Sequence, residues 1–156
     1  MRIRIVVAAL CAGLLLAVGL PLALGASGER TKTLAAAMNG KKEVDASGKK
    51  NAGDLNGLGG FTAIVDNGKL CFGITVRGLD APVAAHIHRG GPKVMGPVVL
   101  PLTQPTAGDP GASSACVDVQ GPLASELLKT PSRFYVNVHT ATFPNGAIRG
   151  QLKTQK

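Results

Sequence analysis

Three histidines, His86, His88 and His139, are the residues whose type and spacing could do chemistry. The first two lie in Ala85-His86-Ile87-His88. Residues two apart on an extended strand project from the same face, about 6.5–7 Å from each other. Ala85 and Ile87 then suit a core on the opposite face. His139 follows 51 residues after His88, in the extended run Phe134 to Ala141. There Val136 and Val138 suit the core, while Tyr135, Asn137 and His139 point the other way. If the two strands are neighbours, three imidazoles converge outside the wall of the fold. Three neutral imidazoles can hold Cu(II) or Zn(II) and leave a position open to water. The same residues also read as a structural cluster, packed on Tyr135 or bonded to backbone carbonyls. Tyr135, Asn137 and Arg149 are the expected supports of such a site. Arg149, between Ile148 and Gly150, reads as an outward residue of the last strand that bonds loop carbonyls or an anion.

Other chemistry is poorly represented. There is no Gly-x-Ser-x-Gly elbow, and Ser113-Ser114 has no evident base. No pair of carboxylates stands out. Gly57-Leu58-Gly59-Gly60 precedes a strand rather than a helix, so it is no phosphate loop. The balance favours a non-catalytic binding module over an enzyme.

The elements that must position these histidines are short strands. The 156 residues contain 21 Gly and 10 Pro, which favours turns over long helices. Aromatics make up 3% and Trp is absent, so the core is built from Val, Ile, Leu and Ala. Part of the hydrophobicity is an export signal. Arg2 and Arg4 precede a nearly continuous apolar run from Ile5 to Leu24, and Ala23-Leu24-Gly25 supplies the small residues of a cleavage site. An uncleaved anchor is the other reading of about 20 apolar residues. The expected organisation is a signal peptide over 1–25, a linker over 26–33, one domain over 34–152 and a tail over 153–156.

Cleavage takes two of the 17 basic residues and none of the 9 acidic ones, leaving a net charge of +6. The remaining basic residues are scattered, apart from Lys41-Lys42 and Lys49-Lys50, and no aromatic platform accompanies them. The expectation is therefore no nucleic acid. It is instead a monomer, secreted or periplasmic, with an extracellular protein or glycan as partner. Cleavage also removes Cys11, leaving Cys71 and Cys116, which in an exported chain point to one disulfide.

Thr33 to Met38 reads as a first edge strand and Asn39 to Gly60 as a long mobile loop. Two alternating runs around Asn67-Gly68 predict a hairpin. Its second strand places Cys71 opposite the apolar face of Leu70, Phe72, Ile74 and Val76. Ala84 to His88 and Val98 to Leu102 are further strands, Thr103 to Ser114 is a loop, and Cys116 to Val119 is a strand. Pro122 to Lys129 is the one helix, begun by Pro122 and ended by Pro131. Phe134 to Ala141 and Ala147 to Leu152 form a second hairpin around Pro144-Asn145-Gly146. This is an all-β pattern, a Greek-key β-sandwich or barrel with one short helix.

Two stretches resemble the CHRD domain family, which is named from chordin and includes bacterial exported proteins. The first is Gly78-Leu79, then Ala85-His86-Ile87-His88-Arg89-Gly90 and Gly96-Pro97-Val98-Val99. The second is Phe134-Tyr135-Val136-Asn137-Val138-His139-Thr140 with Pro144-Asn145-Gly146-Ala147-Ile148-Arg149-Gly150-Gln151-Leu152. The resemblance covers roughly Leu34 to Leu152 and implies an extracellular binding module, with no catalytic residues to carry over. The family's usual last motif has a Glu before Ile-Arg-Gly, and Ala147 stands there. More loosely, His-x-His on an outer strand plus a distant His is similar to copper-zinc superoxide dismutases. The expected all-β fold is immunoglobulin-like or superoxide-dismutase-like, and the likeness implies His86, His88 and His139 together, with a copper-dependent redox enzyme as the alternative function. The bridging histidine, further zinc ligands and aspartate of that family have no counterpart among three histidines.

Overall fold

A computed structural model describes residues 32–119 and 121–155. The expected signal peptide and most of the expected linker lie outside the described residues. The chain forms β1 (Thr33–Asn39), β2 (Leu58–Asp66), β3 (Lys69–Arg77), β4 (Pro82–Arg89), β5 (Val98–Leu102), β6 (Gly111–Asp118), α1 (Pro122–Lys129), β7 (Phe134–Thr140), β8 (Ile148–Gln151) and β9 (Lys153–Thr154). The pairings are antiparallel, and the sheet runs β5-β4-β7-β8-β1-β2-β3-β6, with β9 on β1. It curls into a nearly closed barrel or sandwich.

Alternation in the sequence explains which side faces inward. On β2, Phe61, Ala63 and Val65 are buried while Thr62 and Ile64 are exposed. On β3, Leu70, Phe72, Ile74 and Val76 are buried. These meet Leu34, Met38, Ile87, Val136, Val138 and Ile148 in one core. Phe61 and Phe72 stack at its centre with ring centroids 6.0 Å apart. Truncating Phe61 to Ala costs about 3–5 kcal/mol by loss of burial and cavity formation. The β2–β3 hairpin turns on Asn67 and Gly68, with φ of 46° and 74°. Both values lie in the left-handed region that a two-residue type I′ turn demands.

Cys71 and Cys116 occupy directly paired positions on β3 and β6 and form a disulfide on the outer face. α1 begins with Pro122 and buries Leu127.

Four expectations are corrected. β1 is not an edge strand: β2 pairs along one side, and β8 and β9 share the other. The segment expected as a long mobile loop after Asn39 is built. It holds a 3-10 turn at Gly40–Lys42 and a bridge between Val44 and Lys50, and it buries Glu43 and Val44. Residues 111–114, expected in a loop, belong to β6, because Ser113 and Ser114 pair with Ile74 and Gly73. Lys153 and Thr154, expected in a tail, form β9.

Candidate metal centre

The β4–β7 ladder brings the histidines together. His86 pairs with Asn137, His88 with Tyr135 and Ala84 with His139. His139 therefore lies diagonally across the ladder from His86, on the face away from the core. The three residues offer nitrogen atoms that all lie within 4.8 Å of one another. His86 Nδ1 and His139 Nε2 are 3.2 Å apart. Three nitrogens bound to one metal at about 2.0–2.1 Å stand about 3.3–3.6 Å apart, so little closure separates this cluster from a ligand set.

All three imidazoles point outward from the barrel, yet two are buried, with His88 8% and His139 9% exposed. Loops fold over them and take up specific nitrogens. His88 Nδ1 is 2.9 Å from the carbonyl of Gly96. His139 Nδ1 is 2.9 Å from the carbonyl of Pro144. A carbonyl can only accept, so each of these rings carries its proton on Nδ1 and leaves an electron pair on Nε2. His88 Nε2 is buried and has no hydrogen-bond partner among the described residues. A backbone carbonyl on the far nitrogen is the arrangement that orients metal-binding histidines.

The electrostatics favour neutral rings. Burial holds all three imidazoles below the ordinary pKa of 6.5. The neighbouring His139 lowers His86 further. For His88 the Gly96 carbonyl opposes burial, while His86, His139 and Arg149 reinforce it. For His139 the Pro144 carbonyl opposes burial. Neutral imidazole is the form that binds a metal.

Behind the histidines lies a layer of polar groups. Tyr135 stacks on His88 with centroids 4.8 Å apart and planes 10° from parallel. The Arg149 guanidinium lies over the Tyr135 ring, 3.3 Å from its centroid. The amide of Gly96 donates to the Tyr135 hydroxyl at 3.1 Å, so one glycine anchors both Tyr135 and His88. Arg149 is 1% exposed and donates to the carbonyls of Val94 at 2.9 Å and Gly91 at 2.7 Å. Gln151 donates to the carbonyl of Gly90 at 2.6 Å. Together they clamp the 90–97 loop onto the sheet.

Asn137 does not reach the imidazoles with a hydrogen bond. Its amide donates to Glu43 Oε2. Glu43 Oε1 accepts from the Val44 amide at 3.0 Å and lies 4.0 Å from Arg149 Nη1. Burial pushes the Glu43 carboxyl up, and the Val44 amide, Arg149 and Asn137 hold it down. Burial likewise lowers Arg149, against the pull of Tyr135 and Glu43. Glu43 and the carbonyls of Gly96 and Pro144 were not visible as site residues in the sequence. For Glu43 a weak signal existed: it is the one acid in Gly40-Lys41-Lys42-Glu43-Val44 and it precedes an apolar residue. The position before Ile148 that the resemblance associates with a carboxylate is a fully buried alanine, Ala147. Glu43 supplies a carboxylate next door, because a Cβ on Gly146 would meet its Oε2 at 2.3 Å.

The family model described as CHRD domain matches residues 34–152. No curated protein and no solved structure matches the chain.

Proposed function

The chain belongs to the CHRD domain family, and we propose that this member is an exported, non-catalytic binding module that holds one copper or zinc ion on His86, His88 and His139. The observation that carries this reading is the buried, unpartnered Nε2 of His88 beside the 3.2 Å pair of His86 Nδ1 and His139 Nε2. A purely structural histidine would satisfy that nitrogen, since a buried polar atom left unpaired costs about 1–3 kcal/mol. Here the ring belongs to a cluster whose three residues each offer a ligand nitrogen within 4.8 Å of the others. Copper and zinc both accept imidazole ligands.

Export supports the reading through the apolar run at 5–24 and the disulfide of Cys71 and Cys116, which persists in an oxidising compartment. Among the described residues no helix is long and apolar enough to cross a membrane. We assign the partner to the extracellular proteins and glycans, and Tyr135 and Arg149 to the support of the histidines.

The test is elemental mass spectrometry of the untagged protein purified from its natural exported compartment. Near-stoichiometric copper or zinc is expected, and it is lost in a folded His86→Ala/His88→Ala/His139→Ala variant. Protein that carries no metal and binds neither Cu(II) nor Zn(II) when they are added overturns the reading. Turnover of superoxide by the metal-loaded protein would instead favour a redox enzyme.

A further inference from the structure

A second polar site lies beside the clamped loop; it contains none of the three histidines, and Arg149 borders both sites. It is a cavity of about 280 Å³ lined by Ala37, Lys42, Lys50, Pro92, Arg149, Gln151 and Lys153. Its floor is the outer face of β1, β8 and β9, where Arg149, Gln151 and Lys153 alternate outward along the chain. Its side walls are the 40–50 segment and the 90–97 loop.

The lining carries four cations and no carboxylate. The nearby acid is already engaged: Glu43 Oε1 accepts from the Val44 amide, and Oε2 accepts from Asn137. The side-chain ion pairs among the described residues are Lys69–Asp118, Arg89–Glu126 and Arg149–Glu43, so none of the three lysines has one. The Lys42 ammonium is fixed by the Ala37 carbonyl at 2.6 Å, which leaves two of its three N–H donors for another acceptor. The Val44–Lys50 bridge folds the segment back so that Lys50 joins Lys42 on the same wall. Gathering like charges around one concavity opposes folding. An anion in the concavity reverses the sign of that contribution.

We infer that this cavity binds a tetrahedral oxyanion, the phosphate or sulfate group of a small molecule or of an extracellular saccharide. Lys42, Lys50 and Lys153 donate to its oxygens as point charges, as ammonium groups do at phosphates. Arg149 lies below them with its Nη1 and Nη2 already donating to the loop carbonyls, and contributes its positive field from there. The cavity has room for one such group and part of the moiety that carries it, and it has no aromatic surface on which a base could stack.

The experiment is a calorimetric titration of the metal-free protein with sodium phosphate and with sodium sulfate, each against sodium chloride of equal ionic strength. Saturable one-site binding beyond the chloride response is expected. It weakens at least tenfold in Lys42→Ala/Lys50→Ala/Lys153→Ala and is retained when the three lysines become arginine. The same alanine variant keeps its content of copper or zinc, so the oxyanion site and the metal reading stand or fall separately. A third arm compares a sulfated oligosaccharide with its unsulfated parent. Tighter binding than inorganic sulfate identifies the ester as the source, and equal binding identifies the free ion. No saturable response above chloride, or an undiminished response in the alanine variant, overturns the inference.

Discussion

His86 Nδ1 and His139 Nε2 lie 3.2 Å apart across the β4–β7 ladder, and only His86 can be the donor. The Nδ1 proton of His139 is committed to the Pro144 carbonyl, so its Nε2 accepts. Metal-free His86 is therefore the Nδ1–H tautomer. A metal that takes Nδ1 of His86 and Nε2 of the other two rings forces one proton to move, from Nδ1 to Nε2 of His86. Long-range proton–nitrogen correlation spectra should show three Nδ1–H rings without metal. On adding zinc, His86 alone should switch tautomer. A His86 already protonated on Nε2 before metal is added contradicts the hydrogen bond.

The metal-free fold should weaken in mild acid. Burial lowers the pKa of all three imidazoles below the ordinary 6.5. The unfolded chain then binds protons first, so stability rises with pH where the two states differ. The contribution is fully present above about pH 6.5. It is lost as pH falls from there through the lowered values. Glu43, whose pKa burial raises, acts with the opposite sign at lower pH. Urea midpoints should fall between pH 7.5 and pH 5 more steeply in the natural protein than in the triple histidine-to-alanine variant. Equal slopes in the two proteins would show that the imidazoles are not desolvated.

Cys71→Ala/Cys116→Ala should lose about 4 kcal/mol, the chain-entropy value for this loop length. The cysteines are 45 residues apart in sequence. Denaturant melts of the variant measure the loss. Thiol titration of the denatured, unreduced mature protein should find no free thiol.

Breaking the buried pair of Arg149 and Glu43 should be severe. Arg149 is 1% exposed and Glu43 3%, and their charged atoms are 4.0 Å apart. Arg149→Met leaves the carboxylate buried without its cation and frees the carbonyls of Gly91 and Val94. A loss of about 3–5 kcal/mol is expected. Glu43→Gln, which keeps the shape and hydrogen-bonding capacity, should cost markedly less. A double-mutant cycle by denaturant melts checks the coupling, and additive losses would deny it.

Gly146→Ala should also destabilise, by about 1–3 kcal/mol from backbone conformation alone. Gly146 has φ of 134°, and a Cβ there would meet Asn137 Nδ2 at 2.6 Å. The thermal midpoint should drop by several degrees, and an unchanged midpoint would mean that Glu43 and Asn137 yield freely.

Legibility in the sequence followed the range of the interactions. The hairpin at Asn67-Gly68 and the outward parity of His86, His88 and His139 depend on neighbours in the chain, and alternation alone reveals them. The disulfide partners follow from parity and count. The interior place of β1 depends on β8 and β9, more than a hundred residues away, and nothing local in Thr33 to Met38 marks it. The covering of the site was hidden for a similar reason. Glu43 sits among lysines and glycines that read as solvated, yet its partners are Asn137 and Arg149. Backbone carbonyls such as those of Gly96 and Pro144 carry no side-chain signature at all.

The two outermost strands of the sheet, β5 and β6, differ in how they resist recruitment by another chain. β5 is five residues long and includes Pro101, which lacks the N–H that a newcomer would need. β6 has eight residues and no proline, so hydrogen bonding alone leaves it able to swap onto a second molecule. The bond between Cys71 and Cys116 ties it to β3 and removes that freedom. With that bond reduced, β6 is held by its ladder to β3 and by the Ser113–Thr103 and Thr106–Ala112 hydrogen bonds, none of them covalent.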